Sequence, residues 1–130
     1  MQQCIFCLIA AAKIPSYKVF EDDNFLAFLD IRPVVKGHSL VIPKKHSEFF
    51  YDVPKVGKLF EVVKKVSLAS KKALNSAYVQ IRTLGLAVPH AHVHVLPMES
   101  RNKEHPDWSK PLSFTSQQLS EISSLIRSNL

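Results

Sequence analysis

The chain has 130 residues, 46% of them hydrophobic and 22% charged, which excludes wholesale disorder and leaves enough chain to bury a core without staples. Lysine and arginine total 17 against 11 acidic residues, a net charge of +6, which favours anionic partners without choosing between a small phosphate and a nucleic acid. Two cysteines are too few for a disulfide scaffold, and three glycines without a Walker A or GxGxxG pattern disfavour P-loop and Rossmann mechanisms.

Residues 4–12 read as a short apolar helix stopped before Pro15. The run resembles the apolar core of a signal peptide, but no basic residue precedes it and Lys13 follows it. It is also far shorter than the roughly 20 residues of a membrane span. A soluble, cytoplasmic protein is expected. Tyr17–Glu21 and Phe25–Leu29 are strand-like runs on either side of Asp22-Asp23-Asn24, and predict a hairpin. A loop through Arg32-Pro33 and Lys36-Gly37 leads to a third strand, His38–Ile42, ended by Pro43.

From Pro54 to Ala73 the period changes. Val56, Leu59, Phe60, Val63, Val66, Ala69 and Ala73 recur at helical spacing, with Lys58, Glu61, Lys64, Lys65, Lys71 and Lys72 mostly opposite. The lysines read as a solvated face. No Arg-rich run interleaved with aromatics accompanies them, so nucleic-acid binding is not expected. Strands follow at Tyr78–Arg82 and at His90–Leu96, after a loop through Gly85. Residues 98–112 are loop. Thr115 and Gln118 form a capping-box pattern for a last helix, with Leu119, Ile122, Leu125 and Ile126 as its apolar face. The expected fold class is α+β, a five-stranded, mostly antiparallel sheet with packed helices.

Two motifs carry chemistry. In His90-Ala91-His92-Val93-His94-Val95, strict alternation puts three imidazoles on one face of a strand and Ala91, Val93 and Val95 on the other. Such a row suits metal binding, or attack by one ring with proton exchange by another, or a merely polar strand face. Cys4-x-x-Cys7 suits two ligands of a zinc ion, for which His46 and one triad histidine are candidate partners; a redox pair or two inert buried thiols are the other readings.

These motifs together resemble the histidine triad (HIT) family. His90-Ala91-His92-Val93-His94-Val95-Leu96 matches the His-φ-His-φ-His-φ-φ signature, φ being apolar. Cys4-Ile5-Phe6-Cys7, Phe20-Glu21-Asp22-Asp23, Ala27–Pro33 and Gly37–His46 follow in the family's order and spacing. The resemblance covers about residues 4–97, and the last 30 or so match loosely. It implies a HIT-like nucleotide-binding domain over residues 1–112, with 113–130 as the C-terminal helix of the same domain, and a homodimer.

It also implies hydrolysis at the α-phosphate of a small nucleotide, with a purine as the expected base. His92 would be the nucleophile, forming a nucleotidyl-histidine, with His38 and His94 in support. Phe6, Phe28, Asp30, Ile31 and His94 would bind the nucleotide, Asp30 at the ribose hydroxyls. Cys4, Cys7, His46 and His90 would hold a structural zinc. A nucleoside phosphoramidase-like activity is the first expectation. A dinucleoside polyphosphate hydrolase and a zinc-containing nucleotide-binding adaptor with little turnover are the alternatives. The chain departs from the family before the triad. Leu86 stands where many members have Gln, Ala87 offers no hydroxyl, and Tyr78–Leu84 has no clear counterpart to an upstream Asn. Loss of one transition-state hydrogen bond costs about a hundredfold or more in rate, so slow turnover or an altered leaving group is expected.

Overall fold

The computed structural model describes residues 4–130. The elements are α1 (Ile5–Ala10), β1 (Lys18–Glu21), β2 (Phe25–Leu29), β3 (Ser39–Pro43), α2 (Val56–Leu74), β4 (Tyr78–Arg82), β5 (Val93–Met98) and α3 (Ser116–Arg127). The strands form one sheet in the order β1-β2-β3-β5-β4, every neighbouring pair antiparallel. The expected α+β architecture is therefore present. A short 3₁₀ turn at Phe50–Asp52, which no sequence pattern announces, precedes α2.

Strand alternation divides the core in two. Ala27, Val41, Val93 and Val95 face α2 and α3, meeting Leu59, Val63, Val66, Ile122 and Ile126 in the larger cluster. Leu26, Phe28, Leu40 and Ile42 point the other way, onto Phe6 and Ile9 of α1. Because both faces of β2 and β3 are covered, all five residues of each are buried, so these strands read as continuous apolar runs.

Several details differ from the sequence reading. The last strand begins at Val93, not His90. Val41 pairs with Val93, so the same register would set Ala91 against Pro43, whose missing N–H ends the ladder. The third strand begins at Ser39, after a turn in which Gly37 takes φ +83°. That conformation suits glycine, and a Cβ there would also lie 2.3 Å from Leu74 Cδ1. Leu125 is not on the inner face of α3; it is 45% exposed, while Leu119, Ile122, Ser123 and Ile126 point inward. The Thr115–Gln118 capping box does form, with reciprocal bonds of 3.1 and 2.8 Å. Among the described residues no helix is long and apolar enough to cross a membrane.

Candidate active site

The parity that sends Val93 and Val95 into the larger core sends His92 and His94 to the α1 face. The His92 and His94 ring centroids are 5.1 Å apart. Phe6 of α1 lies edge-on to His92 at 5.1 Å and to Phe28 at 5.7 Å. Although His90 and His92 precede β5, their side chains still leave Ala91, in the α2-facing core, on the opposite side. The alternation thus outlasts the ladder.

Hydrogen-bond polarity fixes the state of each ring. His92 Nδ1 is 2.7 Å from the His90 carbonyl, an acceptor, so Nδ1 carries the proton and Nε2 keeps its lone pair. The Val34 N–H donates to His38 Nδ1 over 3.2 Å, so the neutral His38 ring carries its proton on Nε2. That proton points at His94 Nδ1, 2.8 Å away, which leaves His94 with a donor N–H at Nε2. Burial is the main cause that holds His38 below the usual histidine range, against the pull of Asp30. Burial, with His38, His92 and Arg82 adding to it, takes His94 down to about 3. His94 is therefore a neutral hydrogen-bond donor at pH 7.

A cavity of about 750 Å³ opens beside these rings, within the usual size range for a small-molecule site. Phe6, Phe28, Asp30, Ile31, His92 and His94 all line it. Asp30 accepts from the Arg32 N–H at 2.8 Å through one carboxylate oxygen; the other is 3.6 Å from His38 Nε2. Ile31, 72% exposed, sits at the rim. His38 does not line the cavity but is buried behind His94, as a supporting residue would be.

Leu84, Leu86 and Ala87 line the same cavity. Leu86 is 79% exposed and, like Ala87, brings no side-chain donor. Sequence alone assigns no role to Trp108. Its ring stands edge-on to His38 at 5.6 Å and to His94 at 5.3 Å, with the Arg82 guanidinium over it at 5.1 Å. The loop carrying Trp108 is tied to β4 by Tyr78 Oη donating to the Lys103 carbonyl at 2.7 Å and by Gln80 donating to the Glu104 carbonyl. A lone tryptophan in an aperiodic loop was the only signal available. His105, beside it, is exposed and has no part in this arrangement.

Cys4, Cys7, His46 and His90 come together, with their ligand atoms all within 4.8 Å of one another. Cys4 is the N-cap of α1. His90 Nε2 donates to the Pro43 carbonyl at 2.8 Å, so its lone pair is on Nδ1, 3.3 Å from Cys4 Sγ and 3.4 Å from Cys7 Sγ. His46 Nδ1 is 3.3 Å from Cys7 Sγ. A tetrahedral zinc with Zn–S near 2.3 Å and Zn–N near 2.0 Å has S···N edges of roughly 3.5 Å, so the donor set and its spacing fit that ion. With no cation, burial and the adjacent Cys4 sulfur push the Cys7 thiol up to about 11. Metal binding must therefore displace a proton there. Asp30, His38 and His94 also gather three potential ligand atoms. There the Val34 N–H puts the His38 proton on the atom that would have to ligate, which argues against a second metal.

Residues 11–101 match the family model of the HIT domain. Among solved structures, a Hit-like protein of Bartonella henselae superposes with a TM-score of 0.87 at 31% identity, covering 98% of this chain and 96% of that one. A zinc-bound histidine triad family protein of Mycobacterium smegmatis gives 0.81 at 32%, covering 98% and 92%. The adenosine 5'-monophosphoramidase HNT1 of Saccharomyces cerevisiae is 35% identical over 97 residues, 72% of this chain and 61% of the yeast protein.

Proposed function

The chain belongs to the HIT domain family, and from that premise we propose that it is a nucleotide hydrolase acting at the α-phosphate, with a purine nucleoside phosphoramidate as the favoured substrate class. The observation that carries this reading is the locked His92 ring. Its Nδ1 proton is committed to the His90 carbonyl, so the Nε2 lone pair is available to a phosphorus atom in the cavity. The yeast relative's activity as an adenosine 5'-monophosphoramidase supports the choice of substrate.

The base lies among Phe6, Phe28 and Ile31, and the free oxygen of Asp30 receives the ribose hydroxyls. His92 Nε2 attacks the α-phosphorus: a P–N bond forms and the bond to the leaving group breaks. His94, neutral at pH 7, does not give up its proton. Its Nε2–H, polarised by the His38 Nε2–H at its other nitrogen, stabilises charge on a phosphoryl oxygen. A departing amine takes its proton from water. Water then attacks phosphorus, the P–N bond to His92 breaks, and the nucleoside monophosphate leaves.

Cys4, Cys7, His46 and His90 hold a structural zinc in this reading. Bound there, the ion would tie the start of α1 and the segment after β3 to the residues before β5. The protein acts as one domain, with residues 113–130 as its C-terminal helix. It pairs as a homodimer, for which the edge strand β4, with Ile81 half exposed, offers a free rim. The reduced thiols suit a cytoplasmic setting.

Leu86 and Ala87 favour a second reading, a nucleotide-binding adaptor with little turnover, because neither side chain can donate to the leaving group. Mass spectrometry of the zinc-loaded protein during turnover of adenosine phosphoramidate separates the two. The hydrolase reading expects addition of one nucleoside monophosphate to His92. No adduct, with no hydrolysis of the phosphoramidate or of a dinucleoside polyphosphate, leaves the adaptor.

A further inference from the structure

The sheet register lays one row of side chains across the candidate active site. Phe28 pairs with Leu40, Leu40 with His94, and His94 with Arg82. Directly opposed residues share a face, so all four point to the side that α1 partly covers. Neighbouring strands lie about 4.8 Å apart, which sets the His94 backbone about 10 Å from that of Phe28 and the Arg82 backbone about 5 Å further on. In the reading above, the base lies at Phe28 and the α-phosphate at His94. A nucleotide so placed crosses β2, β3 and β5 in turn, and what is bonded beyond phosphorus is carried toward β4, the next strand of the sheet.

On β4 this face carries Tyr78, Gln80 and Arg82. Tyr78 and Gln80 are engaged by the Lys103 and Glu104 carbonyls of the loop that bears Trp108. Arg82 is exposed, and among the described residues no acidic side chain pairs with it. Its guanidinium is held over the Trp108 ring at 5.1 Å, and Trp108 both lines the cavity and stands edge-on to His94. Stacked in this way, the planar fork is partly ordered before it meets an anion, and its geometry matches a carboxylate or a phosphate. The other arginine at the cavity, Arg32, belongs to the Asp30 end.

We propose that Arg82, braced on Trp108, is a specificity residue for the leaving group and favours one that carries a negative charge. The proposal rests on the nucleotidyl-transfer reading above and names a substrate class within it. The anion is a free carboxylate on an amino acid joined through its nitrogen, or a further phosphate beyond the scissile bond. Arg82 neither gives nor takes a proton. His92 still displaces the leaving group, and a departing amine still takes its proton from water. The guanidinium is open to solvent, so water and salt temper its pull.

The test measures kcat/KM of the zinc-loaded full chain for the adenosine phosphoramidates of glycine and of glycinamide, which differ by one charge. The parent should favour glycine by about fivefold, the order an exposed ion pair supplies, and by less at high salt. Arg82→Gln should bring the ratio near one by lowering the glycine value. Arg82→Lys should keep part of the preference and Arg32→Gln all of it. Equal or reversed preference in the parent, a ratio unchanged in Arg82→Gln, or an equal fall in Arg32→Gln would each overturn the proposal. A dinucleoside polyphosphate run alongside identifies the anion: a larger loss with it than with glycine in Arg82→Gln assigns a phosphate, and a smaller loss assigns a carboxylate. If neither phosphoramidate is hydrolysed, the hydrolase reading fails. The ratio of their dissociation constants, from calorimetry on the same variants, then decides the role of Arg82.

Discussion

The two faces of the central strands are built from alternate residues of the same segments and serve opposite ends. Toward α2 and α3, β2, β3 and β5 present Ala27, Val41, Val93 and Val95, compact groups with no polar atoms, packed on two helices. Toward α1, these strands and the residues just before β5 present Phe28, Leu40, His92 and His94, with α1 covering only part of that surface and a cavity taking the rest. A period of two therefore separates stability from chemistry within one ladder. Changes on one face should leave the other's property largely intact, and that separation can be attacked from both sides.

The largest effect belongs to the α1 face. His92→Ala should lower the hydrolytic rate by about a thousandfold or more, as removal of a covalent nucleophile does, while the thermal midpoint moves little. An equal loss of both would break the separation. From the other side, Leu59→Ala empties a fully buried site under the sheet and should cost about 2–5 kcal/mol of stability. Its adduct yield per folded molecule should match that of the parent, measured by urea unfolding alongside a burst assay.

The apolar wall supplies a gain-of-function test. Leu86→Gln with Ala87→Ser restores donor groups to the cavity. It should raise the rate about tenfold or more for substrates with poor leaving groups, since a well-placed donor is worth about a hundredfold or more. No gain would mean that the loop does not face the departing group.

Acid provides a subtler probe. His38, His90 and His94 are held below the ordinary histidine value, chiefly by burial. Below about pH 6.5 the unfolded chain binds protons that the folded chain refuses, so stability falls as pH falls. For His94 that loss continues down to its folded value of about 3. Urea midpoints of the metal-free protein should therefore decline steadily between pH 7 and pH 4. A flat profile would mean that these rings are more open to water than their packing indicates. Smallest of all, Leu125→Ser on the outer side of α3 should shift stability by no more than about 0.5 kcal/mol, because Leu125 is exposed.

What the sequence discloses follows from periodicity. The alternation of His90 to Val95 predicts which side chains share a face even where the ladder has stopped, because extended backbone alternates with or without a partner strand. The helical spacing around Leu59 to Ala69 identifies α2 for the same reason. Where no period operates, sequence is silent. Trp108 stands beside His94 on a loop whose Lys103 and Glu104 carbonyls accept from the Tyr78 and Gln80 side chains of β4, and nothing near Trp108 encodes those bonds. The onset of β5 depends on Pro43, 50 residues before Val93. The ring states of His38 and His94 depend on a single N–H at Val34. The candidate ligand set, by contrast, follows from the family resemblance, and its four residues do converge.

β2 belongs to both cores, with Phe25, Ala27 and Leu29 in one and Leu26 and Phe28 in the other. A strand shared in this way leaves no route by which the cavity side opens while the helical side stays closed. In hydrogen exchange, the β2 amides should therefore report the global opening free energy and none lower. The 84–89 loop, with Leu86 in solvent, should exchange through small local openings. The molecule would then pair one rigid cooperative unit with one wall soft enough to admit differently shaped leaving groups.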